Sequence, residues 1–287
     1  MWKTRSKMLF TVGFGIPLLV LVQMFMYAMY KLFGWDIRLN LLWLCNHWMS
    51  RMGWMSVGHF LLLLVLLTFA GTSWLLSVRM IQTRAAVTKL RSMENHIWSA
   101  TLNARYEHLR RPRFLVVEQS SPVAFTIGLW RPCIVLSTGL LHMLDTEEEK
   151  AVVYHEVHHL WHRDPLKTTL LSVFAAMMPY IPVLKHTSQQ YRIVREILAD
   201  NEAIERTGNA VGIGSALLKL LRACSPSTGE NRTQIIQSSF ADTSVNVRIS
   251  RLLDPERDVK LRLPRYAILI SAMVFLLLSI LFVWSIG

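Results

Sequence analysis

Three stretches of more than 20 residues contain no Asp, Glu, Lys or Arg: Met8–Tyr30, Ser56–Val78 and Tyr266–Ile286, of 23, 23 and 21 residues. About 20 apolar residues in a helix cross the hydrocarbon core of a bilayer, so each predicts a membrane span. A fourth apolar stretch, Thr168–Leu184, has 17 residues and ends in Pro179-Tyr-Ile-Pro182. Residues 79–111 read as a polar helix leaving the membrane. Short β-type runs follow at Phe114–Val117, Val123–Ile127 and Cys133–Ser137, punctuated by Pro122, Gly128 and Pro132 as a small sheet requires.

The pattern then turns helical. Thr146 with Glu149 three residues on makes a capping box, and Glu147–Glu149 sit favourably at a helix N-terminus. This helix runs to about Arg163, because Pro165 disfavours helical geometry at Asp164. Asp164 and Pro165 have the character of N-cap and first residue of the next helix. A polar helix from Lys185 to about Thr207, stopped by Gly208, precedes another from Val211 to Cys224. The polar loop Ser225–Arg232, a candidate site of self-cleavage, and a short helix at Arg248–Leu253 lead to the last span.

Composition agrees with membrane insertion: 52% of residues are hydrophobic and 17% charged, where a soluble domain carries about 25% charged. The net charge of +12 is spread along every polar segment, which excludes the single basic stripe of a nucleic-acid binder. Lys3, Arg5 and Lys7 precede the first span; Arg79, Arg84, Lys89 and Arg91 follow the second; Arg257, Lys260, Arg262 and Arg265 precede the last. This bias predicts a cytoplasmic N-terminus and cytoplasmic residues 79–265, with loop 31–55 and the C-terminus outside. Trp35, Trp43, Trp48 and Trp54 would form an interfacial belt in that loop. The first span, too long for a signal-peptide core, reads as a retained anchor. Cys45, Cys133 and Cys224 suggest no disulfide framework. His59 in the second span reads as a snorkelling side chain, and Met24, Met26 and Met29 as lipid-facing.

The candidate chemistry lies in Tyr154-His155-Glu156-Val157-His158-His159, which contains HExxH. His155 and His159 lie four apart on one helical face, from which both imidazoles reach one zinc ion. Glu156, rotated by about 100°, reaches a water activated by that metal and can take its proton. A rival pair, His158 and His162, has the same spacing but no glutamate in the base position. Zinc hydrolases need a third protein ligand. Arg195-Glu196-Ile197-Leu198-Ala199-Asp200 offers Glu196, with Asp200 on the same face to accept a hydrogen bond from a ligand histidine. If Glu196 shares a metal with His155 and His159, Thr168–Leu184 cannot cross the bilayer, since about 30 Å of hydrocarbon would part the ligands. Two arms of equal length, Pro165–Met178 and Val183–Glu196, would form a hairpin, the polar second arm lining a protein- or water-filled cavity.

The segments HEVHHLWHRDPLK, REILADNEA and SPVAFTIGLWRPCIVLSTGLL resemble the β-lactam-sensor/antirepressor family of membrane metallopeptidases over roughly residues 80–255. These are gluzincins related to the CAAX prenyl protease and the heat-shock membrane protease. The resemblance implies that His155, His159 and Glu196 bind zinc, that Glu156 is the catalytic base and that Asp200 is the carboxylate behind the ligands. It also implies that Val123–Ile127 is an edge strand holding an extended substrate through Ala124, Phe125 and Thr126. Arg248 matches the family's arginine before the last short helix, but Asp242-Thr243-Ser244 stands where relatives often have histidine. Arg248 and Tyr191 are therefore the candidates for steadying the oxyanion. The sensing members carry a penicillin-binding domain after the last span, whereas this sequence ends at Gly287, so direct β-lactam sensing by this polypeptide is not expected.

The expected fold is an α-helical integral membrane protein with a cytoplasmic α+β gluzincin-type zinc protease domain carrying a small β-sheet. Residues 1–78 would form a two-span anchor, 79–265 the protease domain with a re-entrant or interfacial hairpin at 165–196, and 266–287 a C-terminal span. The expected function is regulated proteolysis of a cytoplasmic or membrane protein, a DNA-binding repressor being one candidate, without direct contact to nucleic acid. Two alternatives stay open: a housekeeping quality-control protease, and a zinc-bound but non-catalytic receptor or scaffold, against which an intact Glu156 argues.

Overall fold

The computed structural model describes residues 1–33, 55–109, 112–224, 245–252, 254 and 263–286, which divide into two compact units. The loop 34–54 with its tryptophans and Cys45, the loop Ser225–Arg232, Asp242-Thr243-Ser244 and the side chains of His59 and Cys224 lie outside the described residues.

One unit comprises Met1–Ser6, Arg79–Thr169 and Gln190–Leu261. Its sheet contains β1 (Phe114–Val117), β2 (Ala124–Ile127) and β3 (Cys133–Ser137) in the order β1-β3-β2. β1 runs parallel to β3 and β2 antiparallel to it, with Ala124 opposite Leu136 and Ile127 opposite Cys133. β1 and β3 are buried throughout because both faces are covered. Phe114, Val116, Ile134 and Leu136 pack on one side with Leu102 and Val153. Leu115, Val117, Cys133 and Val135 pack on the other with Leu90. Gly128, at φ 113°, closes the turn from β2 towards β3, where a Cβ would meet Arg131 O at 2.8 Å.

The polar helix expected over 79–111 is two elements. The second span continues without interruption in α2 (Met55–Ser92), and a separate α3 covers His96–Arg105. Asn95 makes the break, its side chain accepting from Trp98 N at 3.2 Å as the N-cap of α3. A short α4 (Thr138–Met143), not anticipated from the sequence, is capped by Ser137.

The HExxH helix is α5 (Thr146–Trp161). Its capping box lies one residue earlier than Thr146/Glu149. Asp145 Oδ1 accepts from Glu147 N and Glu148 N, and Glu148 Oε2 accepts from Asp145 N at 2.9 Å. The carboxylate of Asp145 reaches two main-chain amides at once, and Glu148 is anchored a second time within the fold. Ser215 Oγ donates to it at 2.5 Å and Lys219 Nζ at 2.6 Å. Burial opposes its charge, but the Lys219 and Ser215 donors hold its carboxyl below the usual range. Lys219 and Ser215 lie on α8 (Val211–Cys224), which packs against α5 through Ala151 and Ile213.

α6 (Asp164–Met177) and α7 (Pro182–Thr207) follow, α7 starting before Lys185 and ending at Gly208 with φ 82°. Their far ends belong to the second unit, Lys7–Val78, Leu170–Gln189 and Arg262–Gly287. There Met178, Ile181 and Leu184 pack with Met24 and Tyr27 of α1 (Trp2–Phe33), Val65 of α2 and Phe282 of the C-terminal helix Arg265–Ile286. Met24 is thus fully buried between helices rather than lipid-facing, while Met26 is exposed. Gly13 permits close approach: a Cβ there would lie 2.7 Å from Leu171 and 2.9 Å from Thr187. Val183 N, in the first turn of α7, donates to Ser271 Oγ at 3.0 Å, satisfying an amide that the helix cannot pair itself. Trp2–Tyr30, Phe60–Ser92 and Arg265–Phe282 are long and apolar enough to cross a membrane, and they expose Phe25, Leu67, Trp74 and Leu276. The protein is a membrane protein.

A helix over residues 245–252, α9, closes the first unit. Arg251 of α9 and Arg5 lie over the Trp2 ring, with guanidinium carbons 4.9 and 5.0 Å from its centroid.

Removing the α5 cap tests the starting point of this helix. Asp145→Ala should cost about 1 kcal/mol and lower the thermal unfolding midpoint of the purified protein, whereas Asp145→Ser should largely retain it. Equal loss on Thr146→Ala with no effect of Asp145→Ala would return the cap to Thr146.

Candidate metal centre

The helical repeat of α5 carries His155 and His159 to one buried face, with Glu156 beside them. Glu196 and Asp200 occupy successive turns of α7, and Arg248 comes from α9. Three ligand-type atoms converge. His155 Nε2 lies 3.2 Å from His159 Nε2 and 3.4 Å from Glu196 Oε2, and His159 Nε2 lies 3.7 Å from that oxygen. Bonds of about 2.0–2.1 Å to a tetrahedral ion would separate its ligands by about 3.3 Å, close to this triangle. Among the described residues, His155, His159 and Glu196 are the group able to hold a metal ion.

The surrounding side chains define the protonation of these groups. His159 Nδ1 faces Asp164 Oδ2 at 2.8 Å, so Nδ1 carries the proton and the Nε2 lone pair is directed at the other ligands. His155 Nδ1 lies 2.9 Å from Asp200 Oδ1, near enough for the same tautomer although the N–H direction is poorly aligned. With both imidazoles neutral, two lone pairs and a carboxylate oxygen meet at one point, an arrangement suited to a cation. In the metal-free protein, burial pulls the His159 pKa down, but the Glu196 and Asp164 carboxylates more than offset this and push it up to about 9.

Two arginines organise the acids. Arg195 donates to Glu196 Oε1 from Nη2 at 2.5 Å and from Nε at 3.1 Å, leaving Oε2 for the histidines. Burial would raise the Glu196 pKa, but Arg195 and His159 hold its carboxyl well below the ordinary range. Arg248 grips Asp200 through Nε at 2.8 Å and Nη2 at 2.7 Å, and its Nη1 is 3.5 Å from Glu196 Oε2. Burial likewise opposes the charge on Asp200, and Arg248 and His155 keep its pKa low.

The cluster opens into a cavity of about 240 Å³ lined on one side by Ala124, Phe125 and Thr126 and on another by Val152, Ile213 and Leu217. β2 is an end strand of the sheet, pairing with β3 alone among the described strands. Thr126 Oγ1 lies 2.8 Å from Glu156 Oε2 and 3.0 Å from Glu156 O, so the hydroxyl ties this strand to the glutamate.

Of the residues singled out from the sequence, the structure gathers His155, Glu156, His159, Glu196, Asp200, Arg248 and Ala124–Thr126 around one space. Tyr191 is placed elsewhere: its hydroxyl points at Asp164 Oδ1, 3.4 Å away, and it does not line the cavity. The rival pair fails geometrically, because the His158 and His162 rings stack at 4.0 Å with planes 22° apart, and parallel rings do not aim their nitrogens at one point. Burial and the neighbouring His162 and His159 push His158 down to about 3. Sequence reasoning missed Asp164 as the partner of His159. The nearest signal is its place five residues beyond His159, just after Arg163, whose φ of 51° breaks α5 and swings the chain back towards that ring.

A family model described as BlaR1 peptidase M56 matches residues 40–252, well over half of the chain. Proteins named Protease HtpX homolog are also similar. That of Aeropyrum pernix is 33% identical over 120 residues, 40% of this chain and 35% of the relative. That of Aquifex aeolicus is 28% identical over 120 residues, 41% and 38% respectively. That of Methanothermobacter thermautotrophicus is 27% identical over 148 residues, 43% and 57%. The matches thus span between about a third and somewhat over half of these relatives' lengths. No solved structure matches the chain.

Metal analysis tests the ligand set. Wild type and His158→Ala should each retain about one divalent metal per chain, and His155→Ala and Glu196→Ala should lose it under the same dialysis. Equal loss from His158→Ala and His155→Ala would reinstate the rival pair.

Proposed function

The chain belongs to the BlaR1 peptidase M56 family, and on that premise we propose that it is a membrane-embedded zinc endopeptidase. The observation that carries the proposal is the convergence of His155, His159 and Glu196 with Glu156 beside them at the wall of a cavity. His155 Nε2, His159 Nε2 and Glu196 Oε2 would hold zinc, imidazole nitrogen and carboxylate oxygen being donors that zinc accepts. When bound, that ion supplies Lewis-acid polarisation and acidifies a water.

The protein's own groups do the rest. Glu156 takes the water's proton and passes it to the leaving amine. Asp164 and Asp200 fix the tautomers of His159 and His155, and Arg195 occupies the second oxygen of Glu196. An extended substrate segment pairs with the free edge of β2, its main chain meeting Ala124, Phe125 and Thr126. Arg248, anchored on Asp200 and facing the cavity, is placed to steady the oxyanion at the scissile carbonyl.

The lysine and arginine flanks of the spans orient the N-terminus and this centre towards the cytoplasm. The α6–α7 hairpin then enters the membrane region without crossing it. The substrate class is a cytoplasmic or membrane protein presenting an unfolded segment, and the role is regulated proteolysis.

Glu156→Gln should retain the metal yet lower proteolysis of an unstructured, labelled casein by about 10²–10⁴. Cleavage at the wild-type rate by Glu156→Gln would remove Glu156 from the base role. A second expectation concerns Thr126, which positions that carboxylate. Thr126→Val should lower kcat about tenfold, the scale of one lost hydrogen bond, with KM little changed, and Thr126→Ser should restore it. A fall confined to KM would make Thr126 a substrate contact instead.

A further inference from the structure

We propose that a groove beside the C-terminal part of α2 binds the phosphate headgroup of an anionic lipid. One wall is α2 between Met80 and Arg91, the other is the turn Gly128–Arg131, and the space between them is about 470 Å³. Arg84, Arg91 and Arg131 line it and, among the described residues, no carboxylate does. All three arginines are exposed, and among the described residues none forms an ion pair. Arg105, Arg195, Arg206 and Arg248, by contrast, each meet a carboxylate. The floor is apolar, with Met80, Val87 and Leu129, and Trp130 stands at the rim with 69% of its surface exposed. The backbone at Gly128, where any side chain would strike Arg131 O and Pro132 Cα, presents Trp130 and Arg131 in a fixed direction.

Depth identifies the anion. Val78 ends the second charge-free run, and Met80 and Arg84 follow it along the continuous α2 by about 3 and 9 Å. Each headgroup layer is about 5–8 Å thick, so Met80 lies within it, and the Arg84 side chain, leaning back towards the helix N-terminus, reaches its outer edge, while Arg91, about 20 Å along, lies beyond it. Guanidiniums there meet lipid phosphate, and an indole at the rim is the side chain that favours this interface. An acidic protein segment would satisfy the charges but gives no reason for the apolar floor at this depth.

The test uses the full chain in detergent, titrated with phosphatidylglycerol, phosphatidylcholine, inorganic phosphate or an oligoglutamate peptide and read by native mass spectrometry. Phosphatidylglycerol should be retained selectively. Each basic residue near an anionic lipid contributes about fivefold, so the double substitution Arg84→Gln/Arg131→Gln should weaken retention about 25-fold while leaving the bound metal unchanged, which also reports that the variant is folded. Trp130→Ala should weaken lipid but not phosphate binding. Equal retention of phosphatidylcholine, wild-type retention by the double variant, or phosphate held as tightly as the lipid would overturn the proposal. Preference for oligoglutamate would assign the groove to an acidic protein and overturn it too. No arm depends on proteolysis, so the result stands apart from the catalytic reading.

Discussion

An excess of buried negative charge is the constraint around which the catalytic unit is arranged. Glu156, Asp164, Glu196 and Asp200 meet around two imidazoles, and Arg195 and Arg248 are the guanidiniums that reach them. With neutral histidines, four carboxylates against two arginines leave two negative charges, the amount a divalent cation neutralises. Withdrawing each ion from water costs several kcal/mol unless it is compensated. Protons taken up by the histidines, with His159 pushed up to about 9, fill that place in the metal-free protein, and a divalent cation would displace them.

Bringing those acids together dictates the topology. Asp164 begins α6 and Glu196 lies midway along α7, so the intervening chain has to leave and return. The returning arm carries Tyr191 to Asp164 and Glu196 to His159, so the hairpin closes through the same residues that surround the metal position. Its outer part, Leu170–Gln189, is satisfied among the span helices by apolar packing, by the close approach at Gly13 and by Ser271 accepting from Val183 N. Val183 N is thus satisfied by Ser271, whereas the buried Thr187 hydroxyl has no hydrogen-bond partner among the described residues.

Much of this was legible in the sequence where one physical rule acted alone. The charge-free runs, the i,i+4 spacing of His155 and His159, the β-type runs around Gly128 and the stop at Gly208 each follow from local geometry. Where two rules competed, the reading failed. Asp145 and Thr146 are both good caps, and the choice between them depended on whether Glu148 or Glu149 was to be buried against Lys219 on a distant helix. Asp164 looked like a helix cap because caps are local, whereas its actual partner, His159, is reached only through the backbone reversal at Arg163. Met24 could not be separated from Met26 by composition, since a span helix has apolar residues on every face and only packing tells which are buried.

The same electrostatics constrain how the parts share the work. Arg248 is held by two hydrogen bonds to Asp200, which in turn faces His155, while Thr126 joins the free sheet edge to Glu156. None of these groups can be removed without leaving a neighbour buried and uncompensated, so their effects will not add. Losing Asp200 frees a guanidinium beside Glu196; losing Arg248 leaves two carboxylates facing each other's charge near the ligands. Arg248 therefore has a structural duty that precedes any contact with the reacting carbonyl. Its fork spends Nε and Nη2 on Asp200 and holds Nη1 3.5 Å from Glu196 Oε2, so one arginine compensates both carboxylates.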